Sequence, residues 1–276
     1  MKTVSNKEYL DTLSDLCKYD WMRSGMLQSA AEGEVGAVMT SVTQNMNIDR
    51  SDAGGFNALI VASQNGHLET VRFLLENGAS VEDIWTEDGV TALMMAAQEN
   101  HLEILQMLIE NAKGSVNARA DNGSTALCMA SYNGHLEVCR ELLKHGALRT
   151  LGHVNGELPC LSASSGGHSE VVLLLLREDC EEQVNCRRDD GATPLLVAAI
   201  CGYVEVIRAL LLNGADINAK RNDGKDALSL ALAGRKTDAV NLLREQLTLG
   251  VVRSTPKHKA VVVEDDVEEE EEEEDF

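Results

Sequence analysis

The fold of this chain is decided by a block that reads Gly123-Ser124-Thr125-Ala126-Leu127-Cys128-Met129-Ala130, followed by Asn133-Gly134-His135-Leu136-Glu137-Val138. The block returns as Gly89-Val90-Thr91-Ala92-Leu93-Met94-Met95-Ala96, and again as Gly191-Ala192-Thr193-Pro194-Leu195-Leu196-Val197-Ala198. The glycines that mark successive units lie 33 to 35 residues apart and are Gly55, Gly89, Gly123, Gly156, Gly191 and Gly224. A period of about 33 residues predicts a stacked solenoid, whose usual product is a binding surface. We number these units 1 to 6.

Each unit predicts one pair of helices and a connecting loop. Asp-Gly and Asn-Gly pairs supply the positive-φ residues of tight turns, so they predict a short β-hairpin finger before each pair. The second helix carries apolar residues at spacings of three and four, as in Val204, Ile207, Leu210 and Leu211. One unit cannot bury that apolar face alone, whereas six or seven stacked units can. Small residues in the first helix let neighbouring units approach closely, and they are Ala62, Ala96, Ala130, Ala163, Ala198 and Ala231.

The pattern resembles the ankyrin repeat family, whose unit reads Asp-x-x-Gly-x-Thr-Pro-Leu-His-x-Ala, then Gly-His-x-Glu-x-Val, Leu-Leu and Gly-Ala-x-x-Asn. The later half stands in this chain as Gly66-His67-Leu68-Glu69 and as Gly214-Ala215-Asp216-Ile217-Asn218. The resemblance implies an all-α solenoid of stacked helix pairs with short β-hairpin fingers. It covers six clear repeats and a degenerate N-terminal unit at 27–35. The weakest match surrounds Leu158-Pro159-Cys160-Leu161.

The two ends of the chain differ from the repeats. Residues 1–23 have apolar side chains at helical spacing, which predicts a capping helix, with a docking helix for a partner as the alternative. The repeat array is expected over 24–249, and residues 250–263 read as a polar linker. Eleven of the thirteen residues in 264–276 are Asp or Glu, so we expect a self-repelling, disordered acidic tail.

Charge limits the class of partner. The formal net charge is −21, and the tail contributes −11 of it. An acidic body with an acidic tail argues against nucleic acid and favours a protein with a basic segment, such as a ribosomal protein or a histone. The alternative is that the tail only keeps the chain soluble. We also expect the tail to contact the basic fingers late in its own stack.

The remaining composition predicts an intracellular protein without a membrane span. No apolar stretch approaches the ~20 residues that cross a bilayer, and residues 1–23 lack the apolar run of a signal peptide. The seven cysteines are scattered without paired spacing, which fits reduced thiols better than a disulfide framework. We therefore expect a monomer in the cytoplasm or the nucleus.

No motif predicts catalysis, a cofactor or a metal. Cys128, His135 and Cys139 lie close in sequence, but the chain has no Cys-x-x-Cys pair and no phosphate-binding loop. The histidines of the block recur at one position in successive units, which indicates a structural role, and they are His67, His101, His135 and His168.

Binding specificity is expected where the repeat tolerates variation, at the finger tips and on the exposed side of the first helices. Alignment by the marker glycines places there Phe56, Trp85, Val90, Tyr132 and Ile200. Trp85 lies beside a one-residue excess, and exposed aromatic residues are common interface hot spots; the alternative is that it packs on its own hairpin. The early fingers are acidic and the late ones basic, through Glu82, Asp83, Glu87 and Asp88 on one side and Arg187, Arg188, Lys220, Arg221 and Lys225 on the other.

These features predict a non-catalytic adaptor or scaffold that binds another protein on its concave face. The alternative is a chaperone or escort for a basic client protein, with the stack used for recognition and the tail for charge neutralisation. Deletion of the tail distinguishes the two, because the affinity of an escort would depend on the tail and on salt.

Overall fold

The computed structural model describes residues 25–44, 46–81, 86–111, 115–177 and 181–248. Over these residues it is a stack of helix pairs, as the sequence predicts. The first pair, formed by α1 and α2, corresponds to the degenerate unit, and the expected capping helix of residues 1–23 lies outside the described residues. The helices are α1 Gly25–Glu32, α2 Val35–Thr43, α3 Ala58–Asn65, α4 Leu68–Glu76, α5 Ala92–Gln98, α6 Leu102–Asn111, α7 Ala126–Asn133, α8 Leu136–Lys144, α9 Pro159–Gly166, α10 Ser169–Leu175, α11 Glu181–Val184, α12 Pro194–Cys201, α13 Val204–Leu212, α14 Ala227–Ala233 and α15 Thr237–Thr248.

The first helices begin at side-chain caps that the sequence supplies. The Thr125 hydroxyl accepts a hydrogen bond from the backbone N–H of Cys128, and Thr91 and Thr193 cap α5 and α12 in the same way. Unit 4 has Leu158 at this position and no side-chain cap, but Pro159 occupies the first helical position, where its fixed φ suits a helix. The weakest repeat in the sequence therefore still forms its helix pair.

In units 1 to 4 a histidine joins the helix pair to the one before it. The Nε2 atom of His101 lies 3.1 Å from the carbonyl oxygen of Gln64, and that of His135 lies 2.8 Å from the carbonyl oxygen of Gln98. His168 rests over Gly134, which has a φ of 78° and where a Cβ would overlap the imidazole ring. The expectation that these histidines are structural agrees with this geometry.

The core is continuous and lies between the helices of successive units. The six alanines of the first helices are all fully buried, and the first helices pack closer to one another than the second helices do. The stack therefore curves with the first helices on its concave side. Each second helix buries one apolar stripe, which in α13 includes Ile207 and Leu210.

The fingers are hydrogen-bonded turns rather than β-ladders in the described part of the chain. The Thr86 N–H donates to the Val90 carbonyl at 3.0 Å, and the Ala120 N–H donates to that of Ser124 at 2.9 Å. Among the described residues, pairing beyond such turns is limited to one isolated bridge, between Lys220 and Asp226. The predicted helical fold class is confirmed. The predicted β-hairpin fingers are tight turns in the described residues.

Candidate protein-binding surface

Backbone hydrogen bonds join successive fingers into one edge. The Asp121 N–H of finger 3 donates to the Asp88 carbonyl of finger 2 at 2.9 Å, and the Val154 N–H of finger 4 donates to the Asn122 carbonyl at 2.8 Å. The same bond recurs at Glu87, Asp189 and Asn222, each of which donates to the preceding finger. Because every finger is tied to its neighbour, this edge presents its side chains at fixed spacing.

Two of the predicted binding residues lie partly exposed at equivalent positions of the first helices. Tyr132 is near the end of α7 and Ile200 is near the end of α12, with Ser165 at the equivalent position of α9 between them. An aromatic and a branched apolar side chain therefore flank a small one along the concave side.

The prediction that Phe56 and Val90 are exposed is wrong. Phe56 is 8% exposed and Val90 is fully buried. Both follow the turn glycine, and the next finger covers that position: a Cβ at Gly55 would lie 2.8 Å from the Cα atom of Thr86 in finger 2. Lys225 occupies the same position in finger 6 and is exposed, because no described residue lies within 4 Å of the Cβ position at Gly224.

The acidic early edge is partly described. Glu87 is exposed and Asp88 is half-buried. Trp85, Glu82 and Asp83 lie outside the described residues, so both interpretations of Trp85 stay open.

The late fingers carry less free positive charge than their cations indicate. Arg188 contacts the Asp190 carboxylate at 2.8 Å and the Glu157 carboxylate at 3.5 Å. The bond from Arg188 holds the pKa of Asp190 down at about 2. Arg221 and Lys225 both pair with Asp223, at 2.9 and 3.1 Å.

Arg187 is exposed and donates to a backbone carbonyl, that of Lys220, at 3.2 Å. The late edge thus has five cations, which are Arg187, Arg188, Lys220, Arg221 and Lys225, against the four carboxylates Asp189, Asp190, Asp223 and Asp226. The predicted contrast between an acidic and a basic end is correspondingly weak.

A polar cluster around the buried Glu157, at units 4 and 5, was not foreseen from the sequence. Glu157 is 5% exposed and accepts a hydrogen bond from Ser162 at 3.2 Å as well as the ion pair with Arg188. Burial raises the pKa of Glu157, while Arg188 opposes that shift. Glu157 stands at the position that Phe56 and Val90 occupy in units 1 and 2, and an acid in place of these apolar residues was the signal in the sequence. Glu157 is buried and Arg188 is partly exposed, and their ion pair joins units 4 and 5.

The thiols are placed for packing. Burial raises the pKa of Cys128 to about 11 and that of Cys139 to about 12, so neither is a ready nucleophile. The described residues hold no group of three or more His, Cys, Asp or Glu side chains placed to bind a metal. None of the described helices has both the length and the apolar content required to cross a bilayer.

Comparison with known proteins gives consistent matches. A family model described as ankyrin repeats (3 copies) matches residues 1–120, 80–151 and 160–253, and one described as ankyrin repeats (many copies) matches residues 127–176. The crystal structure of the human ASB11 ankyrin repeat domain superposes with a TM-score of 0.67 at 27% identity, covering 80% of this chain and 98% of that one.

Curated relatives match over shorter stretches. Human ankyrin repeat and KH domain-containing protein 1 is 44% identical over 70 residues, which are 25% of this chain and 3% of that protein. Ankyrin repeat family A protein 2 from Mus musculus is 35% identical over 85 residues, which are 29% of this chain and 27% of that protein. This chain therefore spans well under two thirds of these relatives.

Proposed function

This chain belongs to the ankyrin repeat family, whose repeats indicate a protein–protein interaction module, and we propose that it is a non-catalytic adaptor that binds another protein on its concave side. The curvature supports this proposal. Close packing of the first helices and the hydrogen-bonded finger edge together make a continuous concave surface. A rigid surface of this kind binds without paying for its own ordering.

The residues proposed to anchor a partner are the partly exposed ones of this surface. Tyr132 and Ile200 offer apolar contact area on the first helices. Arg187 and Glu87 lie at the exposed finger edge and would fix the orientation of a partner. Trp85 adds an aromatic candidate from the sequence, because aromatic residues are enriched among interface hot spots.

Affinity purification of the full chain, read out by mass spectrometry, tests the proposal. The variant Tyr132→Ala/Ile200→Ala should lose at least about tenfold of the partner signal, which corresponds to about 1.4 kcal/mol. Leu212→Ala is the matched control, because Leu212 is 63% exposed on a second helix. Equal partner signals for both variants, with unchanged circular dichroism, would place the binding surface elsewhere. Trp85→Glu in the same assay separates a contact role for Trp85 from a folding role.

The escort for a basic client is the second candidate, and the charge distribution supports it. Residues 25–111 contain thirteen carboxylates and two arginines, and the tail adds eleven carboxylates. Removal of residues 264–276 should then lower the affinity for the client and abolish most of the dependence of that affinity on salt concentration. Unchanged affinity after the deletion would favour the adaptor. For either function we propose residence in the cytoplasm or the nucleus.

A further inference from the structure

A groove lies between the second helices of units 1 and 2, on the side of the stack opposite the concave surface. It has a volume of about 360 Å³ and runs between α4 and α6. We call it the outer groove, and its walls are formed by Leu68, Arg72, Glu76, Glu103, Gln106, Met107, Glu110 and Asn111. Leu68 and Met107 pack on the core but stay partly exposed, so they give the groove an apolar floor.

An ion pair present on the second helices of units 1, 3 and 5 is missing at the unit-2 wall of the outer groove, as it is in unit 4, where Leu173 replaces the arginine. Glu137 pairs with Arg140 three residues later at 3.4 Å, and the same pair stands at Glu69 with Arg72 and at Glu205 with Arg208. In unit 2 the arginine is replaced by Gln106. Within the described residues Glu103 therefore has no ion pair, and its carboxylate is exposed at one end of the groove.

The other end of the groove carries carboxylates where the helix dipole disfavours them. Glu76 and Glu110 stand in the last turns of α4 and α6, next to the partial negative charge of each C-terminus. The equivalent positions of units 3 and 4 carry cations, Lys144 and Arg177. Both glutamates are exposed, and neither forms an ion pair in the part of the chain that the structure describes. This arrangement costs stability in the free protein, and a bound cation would relieve it.

The described residues around the groove supply little positive charge. Residues 25–111 have thirteen carboxylates but only Arg50 and Arg72 as cations, a net charge of −11. Residues 112–248 have seventeen carboxylates and fifteen cations, a net charge of −2. The groove is therefore in the strongly acidic half of the repeat array. Arg72, on its wall, is already engaged by Glu69.

We propose that the outer groove is a second docking site, additional to the concave face, which takes a short basic segment of a partner protein. Glu103 and Glu110 are seven residues apart on α6, which is about 10 Å along a helix axis. In a polyproline II segment, which has three residues per turn and a rise of about 3.1 Å, two Lys or Arg side chains three residues apart lie on one face and about 9 Å from each other. An apolar side chain between them rests on Leu68 and Met107. The apolar floor and the spaced carboxylates select for such a segment over a diffuse polycation.

Titration with a peptide tests the site on the full chain. The probe is a fluorescein-labelled peptide with the sequence Lys-Leu-Ala-Lys, followed by fluorescence anisotropy and by amide shifts of isotope-labelled protein. Shift changes should concentrate on α4 and α6. The variant Glu76→Gln/Glu103→Gln/Glu110→Gln should bind the peptide at least about tenfold more weakly, because it removes the three unpaired charges.

The matched control removes the same charge from other second helices. Glu137→Gln/Glu170→Gln/Glu205→Gln should change the affinity by less than about twofold, since any effect on the groove is through screened, long-range charge. A probe with serines in place of its two apolar residues should also bind more weakly.

Three outcomes would overturn the proposal. Equal weakening by the two triple variants would reduce the interaction to net charge. Shift changes on the first helices or fingers would place the peptide on the concave surface, and that result would leave the adaptor proposal intact. The same shifts produced by magnesium ions alone at equal concentration would assign the groove to a small cation.

Discussion

An imidazole at the start of the second helix carries part of the contact between units in units 1 to 4. His135 is half-buried, and burial lowers its pKa, so its ring is neutral at physiological pH and one nitrogen is bonded to Gln98 of the preceding unit. That carbonyl belongs to the last turn of α5, where it has lost its partner within the helix. His135, which repeats as part of the sequence motif, thus supplies a hydrogen-bond partner for a carbonyl at the end of a helix in the preceding unit.

Replacement of this imidazole should weaken one junction of the stack. His135→Ala should lower the free energy of unfolding by about 1–3 kcal/mol, because a hydrogen bond is lost and a carbonyl is left unsatisfied. His145→Ala is the control, since His145 is exposed and, among the described residues, pairs only with Glu141 of its own helix, so we expect a change within about 0.5 kcal/mol. Urea unfolding of both variants measures the difference. Equal effects would show that the inter-unit bond contributes nothing.

A second histidine should make stability depend on pH. His153 bonds the Ser124 hydroxyl at 2.9 Å, and burial lowers its pKa to about 4 from 6.5. The unfolded chain therefore binds more protons between these two values, so the stabilisation is complete above pH 6.5 and is lost as pH falls toward 4.

The His153→Gln variant isolates this contribution. Between about pH 7.5 and pH 5, the wild type should lose about 2 kcal/mol more unfolding free energy than the variant. Urea unfolding at the two pH values measures it, and the other histidines titrate equally in both proteins. Parallel losses in the two proteins would mean that His153 is not protonated differently on folding.

At the scale of the helix, position on the stripe decides what a leucine contributes. Leu210 is fully buried in α13, whereas Leu212, two residues later, is 63% exposed. Leu210→Ala should cost about 2–5 kcal/mol through lost burial and a cavity, and Leu212→Ala less than about 0.5 kcal/mol. Hydrogen exchange should show the loss first in the C-terminal units, because each unit contacts only its neighbours. Uniform loss from residue 30 onward would contradict such local coupling.

Removal of a charged side chain from a helix C-terminus should raise the stability of the protein in one unit and lower it in another. Glu110→Gln removes a charge that the C-terminus of α6 disfavours, so it should stabilise the protein by about 0.3–1 kcal/mol. Lys144→Gln, at the equivalent position of α8, should destabilise it by a similar amount. Thermal unfolding at low salt compares the two. If both variants were destabilised, Glu110 would have a structural partner and the argument for the outer groove would lose one of its supports.

At the scale of the whole molecule, charge is distributed unevenly along the stack. The late fingers looked like a site for the acidic tail, but Arg188, Arg221 and Lys225 are engaged by carboxylates of their own loops or of the neighbouring unit. The tail itself lies outside the described residues. The late fingers have only a small excess of positive charge to attract the tail, and that attraction is screened over about 8 Å at physiological salt.

Deletion of residues 264–276 should therefore leave the late fingers unchanged. Amide shifts over 187–225 in the labelled protein should be the same with and without the tail, because competing carboxylates are already bound there. The full-length chain at high salt is the control for non-specific charge effects. Shift changes confined to these fingers at low salt would restore the sequence-based expectation of a tail contact.

The sequence by itself determined the period, the helix pairs and the core. These follow from local signals: Thr125 caps α7, the spacing of Ile207 and Leu210 defines one stripe, and Gly134 accepts a left-handed conformation. Each of these signals acts within one unit, so the sequence of one unit is enough to predict its helix pair. Repetition of the signals in successive units strengthens the prediction.

Only the tertiary structure decided which side chains remain available to a partner. Phe56 is buried by the following finger, and Arg188 meets Glu157, which belongs to the preceding unit. The outer groove likewise exists only because α4 and α6 lie side by side. The exposure and the charge pairing of a side chain depend on residues about one repeat away, which stacking of the units brings close. A pattern within one unit does not specify these contacts between units, so only the folded structure shows which surface residues are available.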